Sequence, residues 1–115
     1  MKINRLMGND GDSIYYSQRF RRYLETYMPY LRNHVDSEDL VIDHHDLYKF
    51  EGDFYGLLSK YNIERKYHWI VLRINDLLNP NEVPQHLEGI KIPNPSQISK
   101  IVQIYKTHLK NKRSI

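Results

Sequence analysis

Four places in this 115-residue chain gather side chains of the kind that do chemistry. Asp43-His44-His45-Asp46 has metal-ligand residue types in a row. A zinc site needs at least three ligands converging on one point, and neighbouring side chains of an extended strand face opposite ways. The quartet therefore reads as a polar loop or strand end, and no metal is expected. Glu51 and Asp53 are two carboxylates one residue apart, the residue types that cleave a glycosidic bond. That chemistry needs both groups facing each other across the bond, which alternate positions of a strand or turn do not supply. Asp10-Gly11-Asp12 alternates as a calcium loop does, yet the later ligands and the bidentate glutamate are missing. Arg19, Arg21, Arg22 and Arg32 have the charge for a phosphate patch, although such residues more often form a solvated face whose stems cover apolar surface. With no cysteine nucleophile, glycine-rich phosphate loop or H-E-x-x-H motif, the chain is expected to be no enzyme, with no catalytic residues and no cofactor.

The composition agrees with a folded binding or building unit. The hydrophobic share is 40% and the charged share 27%, within the range of globular domains. No apolar run reaches the ~20 residues of a membrane span, and the start lacks a basic-then-apolar leader, so no membrane partner is expected. Zero cysteines fit assembly in a reducing cytoplasm. A net charge of +3 is too mild for a nucleic-acid footprint, so nucleic acid is not the expected partner. Ten tyrosines against one tryptophan point toward interfaces, because tyrosine joins contact area to a polar tip.

Taken in order, residues 1–12 form a turn-rich arm without periodicity. Tyr16, Phe20, Tyr23, Leu24, Tyr27 and Met28 then recur at helical spacing, with Ser13 or Ser17 as cap, up to a break or kink at Pro29. An aromatic stripe of this size must be covered, either by the rest of the chain or by another subunit. An acidic linker leads to Leu40-Val41-Ile42, an extra edge strand or an extension of the next one. Tyr48-Lys49-Phe50-Glu51 alternates like a half-buried strand, and Gly52-Asp53 turns into a helix over 54–61 with Leu57, Leu58 and Tyr61 inward and Asn62 as its left-handed end. A second helix over 66–72 or slightly beyond buries Trp69, Ile70 and Ile74. Asn75 is expected to bond the Asn79-Pro80-Asn81 turn, and Ile90 and Ile92 lie in a closing strand stopped by Pro93. From Pro95-Ser96, Ile98, Ile101, Val102, Tyr105 and Leu109 follow helical spacing, and Lys106, Lys110, Lys112 and Arg113 make a basic end. The expected fold class is α+β. A small βααβ core over residues 40–95 carries an N-terminal arm and amphipathic helix over 1–39 and a C-terminal amphipathic helix over 96–115.

These residues carry a family likeness. The matching set runs Tyr48-Lys49-Phe50, Glu51-Gly52-Asp53, Leu57-Leu58, Lys60-Tyr61, Tyr67-His68-Trp69-Ile70-Val71, Arg73-Ile74-Asn75, Asn79-Pro80 and Ile90-Lys91-Ile92-Pro93. Residues 47–93 resemble a LysM domain, and more closely the LysM-like domain of the phage baseplate wedge protein family of contractile-tailed phages. The aromatic run ahead of Asn75 is the feature that separates this version from ordinary LysM modules. The resemblance implies a non-enzymatic virion protein, assembled in the host cytoplasm and joined in multiple copies to other baseplate and tail proteins. Tyr16, Phe20, Tyr23, Tyr27, Ile101 and Tyr105 are the residues expected to meet those partners. Ordinary LysM modules hold N-acetylglucosamine polymers, so peptidoglycan is the alternative ligand. The corresponding groove lies between Glu51, Gly52, Asp53 and Phe54 on one side and Asn79 and Pro80 on the other. It is expected to be vestigial: Phe54 stands where a small hydroxyl residue is usual, and Pro84-Gln85-His86 where a glycine is.

Overall fold

The computed structural model describes residues 13–81 and 89–114, with side chains as far as residue 110. The 1–12 arm, the Pro84-Gln85-His86 stretch and the side chains of Lys112 and Arg113 lie outside the described residues. The element order is α1 Gln18–Glu25, α2 Met28–Asn33, β1 Glu38–Val41, α3 His44–Lys49, α4 Phe54–Lys60, a 3-10 turn Arg65–Tyr67, α5 His68–Ile74, β2 Gly89–Ile92 and α6 Pro95–Ser114. The chain is α+β, and among the described residues β1 pairs with β2 in a two-stranded antiparallel sheet.

Local chemistry explains most element ends. Ser17 Oγ accepts from the Phe20 N–H at 3.3 Å and starts α1. The helix stops before Pro29, and α2 begins afresh with that proline in its first turn. Asp53 Oδ1 accepts from the Gly56 N–H and caps α4. Asn62, at φ 64°, ends α4 as expected, and the next N–H, of Ile63, returns to the Leu58 carbonyl. Asn94 Oδ1 accepts from the Ser96 N–H and opens α6 around Pro95.

Two expectations about the central unit need correction. Tyr48-Lys49-Phe50-Glu51 does not form a strand: it belongs to the end of α3 and the turn after it. Asp43 Oδ1 caps α3 through the His45 N–H at 2.9 Å, and Asp46, Leu47 and Phe50, spaced as on a helix, face inward while Tyr48 stands in solvent. The strand paired with β2 comes from Glu38–Val41, in the register Glu38↔Ile92, Asp39↔Lys91, Leu40↔Ile90, Val41↔Gly89. Among the described residues, three α-helices and a 3-10 turn therefore lie between the strands, where two helices are expected. The other correction concerns Asn75. Its amide does not bond the 79–81 turn; Nδ2 donates to the Val71 and Lys91 carbonyls, and Oδ1 accepts from the Lys91 N–H. It ties the end of α5 to β2.

The interior consists of two apolar clusters that meet at α5. Phe20, Leu24, Met28 and Leu31 of the first two helices pack with Ile98, Ile101, Val102 and Tyr105 of α6 and with Ile70 and Ile74 of α5. Phe54, Leu57, Leu58, Leu47 and Ile90 pack on Val71 and Leu72, on the other side of the same helix. The expected core residues Leu57, Leu58, Ile70, Ile74 and Ile90 are buried, whereas Tyr61, Trp69 and Ile92 are only half-buried. Trp69 sits at the margin of the first cluster, because Arg21 rather than another apolar group covers its ring. The first cluster also crosses the boundaries expected at 39/40 and 95/96.

Truncating Phe20, fully buried between α1 and α6, to alanine should cost about 3–5 kcal/mol of unfolding free energy in urea. Asn75→Ala should cost about 1–3 kcal/mol, because the N–H and C=O of Lys91 lose their partner together. A change under a few tenths of a kcal/mol at Asn75 would show that the lock is dispensable.

Candidate functional site

Among the described residues, two of the clefts and the outer edge of β1 bring together the side chains and backbone groups most relevant to binding. The first cleft lies beside the loops expected to form a sugar groove. Those loops do come together: the Phe54 N–H donates to the Pro80 carbonyl at 2.8 Å. Gly52, at φ 80°, passes close to Asn81, whose carbonyl oxygen is 3.8 Å from where a side chain would begin. Beside them is a cleft of about 280 Å³ lined by His44, Leu47, Tyr48 and Glu51. Its polar groups are partly committed. Asp53 caps α4, the Asn79 side chain accepts from the Asn81 N–H, and the Phe54 ring is fully buried in the core. Glu51 and the broad face of Tyr48, 81% exposed, remain accessible. Glu51 and Asp53 do not act as a pair, since Asp53 is turned to its helix.

The Asp43-His44-His45-Asp46 quartet is divided by the helix it starts. Asp43 is the cap, His44 and His45 are exposed, and Asp46 is turned inward. Tyr61 donates its hydroxyl to Asp46 Oδ2 at 2.7 Å and accepts from the Asp43 N–H, while Lys60 lies 3.6 Å from Asp46 Oδ1. The Tyr61 hydrogen bond, aided by Lys60, holds the Asp46 carboxyl below its usual range against the opposing effect of burial. For the phenol, the Asp43 N–H works downward, but the Asp46 carboxylate and burial outweigh it and raise its pKa. The arrangement staples α3 to α4. Among the described residues, no three histidine or carboxylate groups gather as a metal site.

A second cleft of about 370 Å³ opens where the approach to α1 meets α4 and α5, and its lining includes Tyr16, Arg21, Tyr55, Ser59, Arg65 and Trp69. Arg21 lies 4.9 Å over the Trp69 ring and 5.7 Å over Tyr16, with its Nε donating to the Tyr15 carbonyl at 3.0 Å. At the cleft's base His68 is 4% exposed. Its Nε2 meets the Ile63 carbonyl at 2.8 Å, so that nitrogen carries the proton. Burial, with a smaller push from Arg65, lowers its pKa, although the Ile63 carbonyl favours the charged form. His68 therefore stays neutral at neutral pH.

The strand edge follows from Asn75. Because Asn75 takes both backbone groups of Lys91, Lys91 directs them away from β1, and Asp39↔Lys91 is a non-hydrogen-bonded pair. Asp39 and, two residues on, Val41 thus point their own N–H and C=O to the outer side of β1. Among the described residues no third strand meets them. Val41 on this edge is 77% exposed, and Val35 just before the strand is 89% exposed. Composition gives no sign of such an edge.

The residues expected to meet partners are largely covered by the chain itself. Phe20, Ile101 and Tyr105 are buried between α1 and α6, with the Phe20 and Tyr105 rings 5.2 Å apart. Tyr23 and Tyr27 are half-buried with their hydroxyls 3.3 Å apart, and that hydrogen bond, with burial, raises the Tyr23 pKa. Of the six, Tyr16 alone is exposed, at 49%. The Arg73–Glu25 fork, with both contacts at 2.9 Å, joins α5 to α1, and a separation of 48 residues hides it from any local motif. The hydrogen bonds to Arg73, against the effect of burial, lower the Glu25 pKa.

His68 yields a pH prediction. Its folded pKa lies below the unfolded value of about 6.5, so between those values the unfolded chain binds the proton first. Stability from this group is full well above the unfolded value of about 6.5 and should fall as pH drops through it toward the lower folded value. Urea midpoints should show this fall in the parent chain and a shallower one in His68→Gln. Equal slopes would remove His68 as the cause.

No family model, curated protein or solved structure matches this chain.

Proposed function

We propose that this chain is a non-enzymatic structural component of a phage tail baseplate, a wedge subunit that joins neighbouring tail proteins during virion assembly. The observation that carries this reading is the outer edge of β1, which meets no other described strand, with Val41 exposed on the strand and Val35 exposed in the turn before it. An unpaired edge flanked by apolar side chains is a template for a strand from another chain. Tyr16, Tyr30, Tyr48, Leu78 and Ile104 add exposed apolar surface on other elements, as suits a subunit with several neighbours. Asp43 and Asp53 serve as caps, Asp46 as a staple and His68 as an internal donor, so the polar groups that attract a catalytic reading are engaged in holding the fold. The ordered residue set over 47–93 supports the baseplate family in particular, as does the coarse α+β class. The finer LysM-like core is part of this proposal, with β1 supplied by Glu38–Val41 and α3 lying between that strand and the two helices of the family pattern.

A second reading, a LysM module for peptidoglycan or other N-acetylglucosamine polymers, draws on the approach of the 52–54 and 79–81 loops. The accessible ring of Tyr48 beside Glu51 offers an apolar plate for a sugar face and an acceptor for its hydroxyls. Phe54 buried in the core and the side-chain bonds of Asp53 and Asn79 weigh against it.

Co-expression with baseplate and tail proteins separates the two. Under the structural reading the chain co-purifies with at least one of them, and Val41→Lys, which charges the open edge without touching either cluster, should reduce capture by about tenfold. N-acetylglucosamine oligomers should give no saturable response in calorimetry. Saturable sugar binding that Tyr48→Ala abolishes, with no co-assembly, would overturn the proposal in favour of the second reading.

A further inference from the structure

The Arg21 cleft has a chemistry of its own. The Arg21 guanidinium lies over the Trp69 ring and, more distantly, the Tyr16 ring, and its Nε bond to the Tyr15 carbonyl anchors it there. No described carboxylate pairs with it, and among the described residues its terminal Nη donors make no hydrogen bond, while the side chain lines the cleft. Arg65 lines the same space and is likewise without a carboxylate among the described residues. Two carboxylates on the adjoining elements are engaged elsewhere, Asp53 on the Gly56 N–H and Glu64 with Lys66 at 3.8 Å. The rest of the lining includes Tyr16, Tyr55, Trp69 and Ser59, with the neutral His68 at its base.

We propose that this cleft binds an acidic peptide segment of a partner protein, with Arg21 gripping a carboxylate through its two-pronged edge and Arg65 adding a second positive charge. A held guanidinium matches a carboxylate bidentately, and the aromatic walls suit an apolar side chain next to the acid. Nucleic acid fits less well. Arg32, Lys60, Arg73 and Lys91 are paired with Asp76, Asp46, Glu25 and Asp39, which takes four cations out of any surface that would follow a phosphate backbone. The Trp69 ring, the natural platform for a base, is already covered by Arg21. The inference stands whether or not the partner is a tail protein.

Trp69 is the chain's one tryptophan and lines the cleft, so its fluorescence reports occupancy directly. Titrating the full chain at low salt with a Glu-Glu-Leu-Glu-Glu peptide should give a saturable change, and a Lys-Lys-Leu-Lys-Lys peptide none. Arg21→Lys keeps the charge and loses the fork, and should weaken binding by about tenfold. Arg65→Gln, on an exposed 3-10 turn where refolding problems are not expected, should weaken it by about two- to fivefold. Lys49→Gln, on α3 and not among the cleft's residues, should leave it unchanged. An unresponsive parent chain overturns the proposal, as does an equal loss from Lys49→Gln. A single-stranded DNA oligonucleotide that binds more tightly than the peptide and resists displacement by it would do the same, assigning the cleft to phosphates.

Discussion

Helix α5 is seven residues long and buried on both sides, and the two halves of the molecule are joined through it. A helix this short does not hold together alone in water, because nucleation costs more than two turns of hydrogen bonds return. Packing supplies the difference. Ile70 and Ile74 go to one cluster, Val71 and Leu72 to the other, each burial contributing roughly 1.5–3 kcal/mol. Side-chain bonds at its ends set direction rather than strength. His68 reaches back to Ile63, Arg73 forks onto Glu25, and Asn75 clasps Lys91. The Arg73–Glu25 pair is partly open to solvent and contributes on the order of 1 kcal/mol or less, so it aligns α1 on α5 while the apolar clusters hold the two together.

The same constraint redistributes the tyrosines. Tyr15 and Tyr105 are buried, Tyr23, Tyr27, Tyr55, Tyr61 and Tyr67 are half-buried, and only Tyr16, Tyr30 and Tyr48 are exposed. Edge-on contacts among Tyr15, Phe20, Tyr67 and Tyr105 fill the space between α1, α6 and the corner before α5. A composition that suggests an interface is thus largely spent inside, where a small chain without disulfides uses wide rings to bridge its helices. Among the described residues, exposed apolar or aromatic surface lies instead at Val41 on β1, at Tyr48, and in the cleft where Arg21 covers Trp69.

Asn75 shows how a structural tie and an outward-facing strand edge arise together. By occupying both backbone groups of Lys91 it seals one side of the sheet, and through the alternation of an antiparallel pair it leaves Asp39 and Val41 facing outward on the other.

The amino-acid order by itself determined what depends on neighbours a few residues away. Ser17, Asp53, Asn62 and Pro95 mark helix ends because each acts on backbone groups within a turn, and the periods of α1, α4 and α6 and the closing strand around Ile90 are legible for the same reason. In the candidate sites, the approach of the Gly52 and Pro80 loops was also readable, through the family likeness. Tertiary structure decided the rest. Tyr48-Lys49-Phe50-Glu51 alternates well enough for a strand, but an extended segment gains its bonds only from a partner, and Glu38–Val41 holds that place on β2. Whether the stripe of Phe20 and Tyr23 meets α6 or another subunit, which rings Arg21 stacks on, and which carbonyls Asn75 reaches all depend on contacts between residues far apart in the chain. No local pattern encodes those contacts, since each side chain alone satisfies several partners equally and only the packing around α5 selects one.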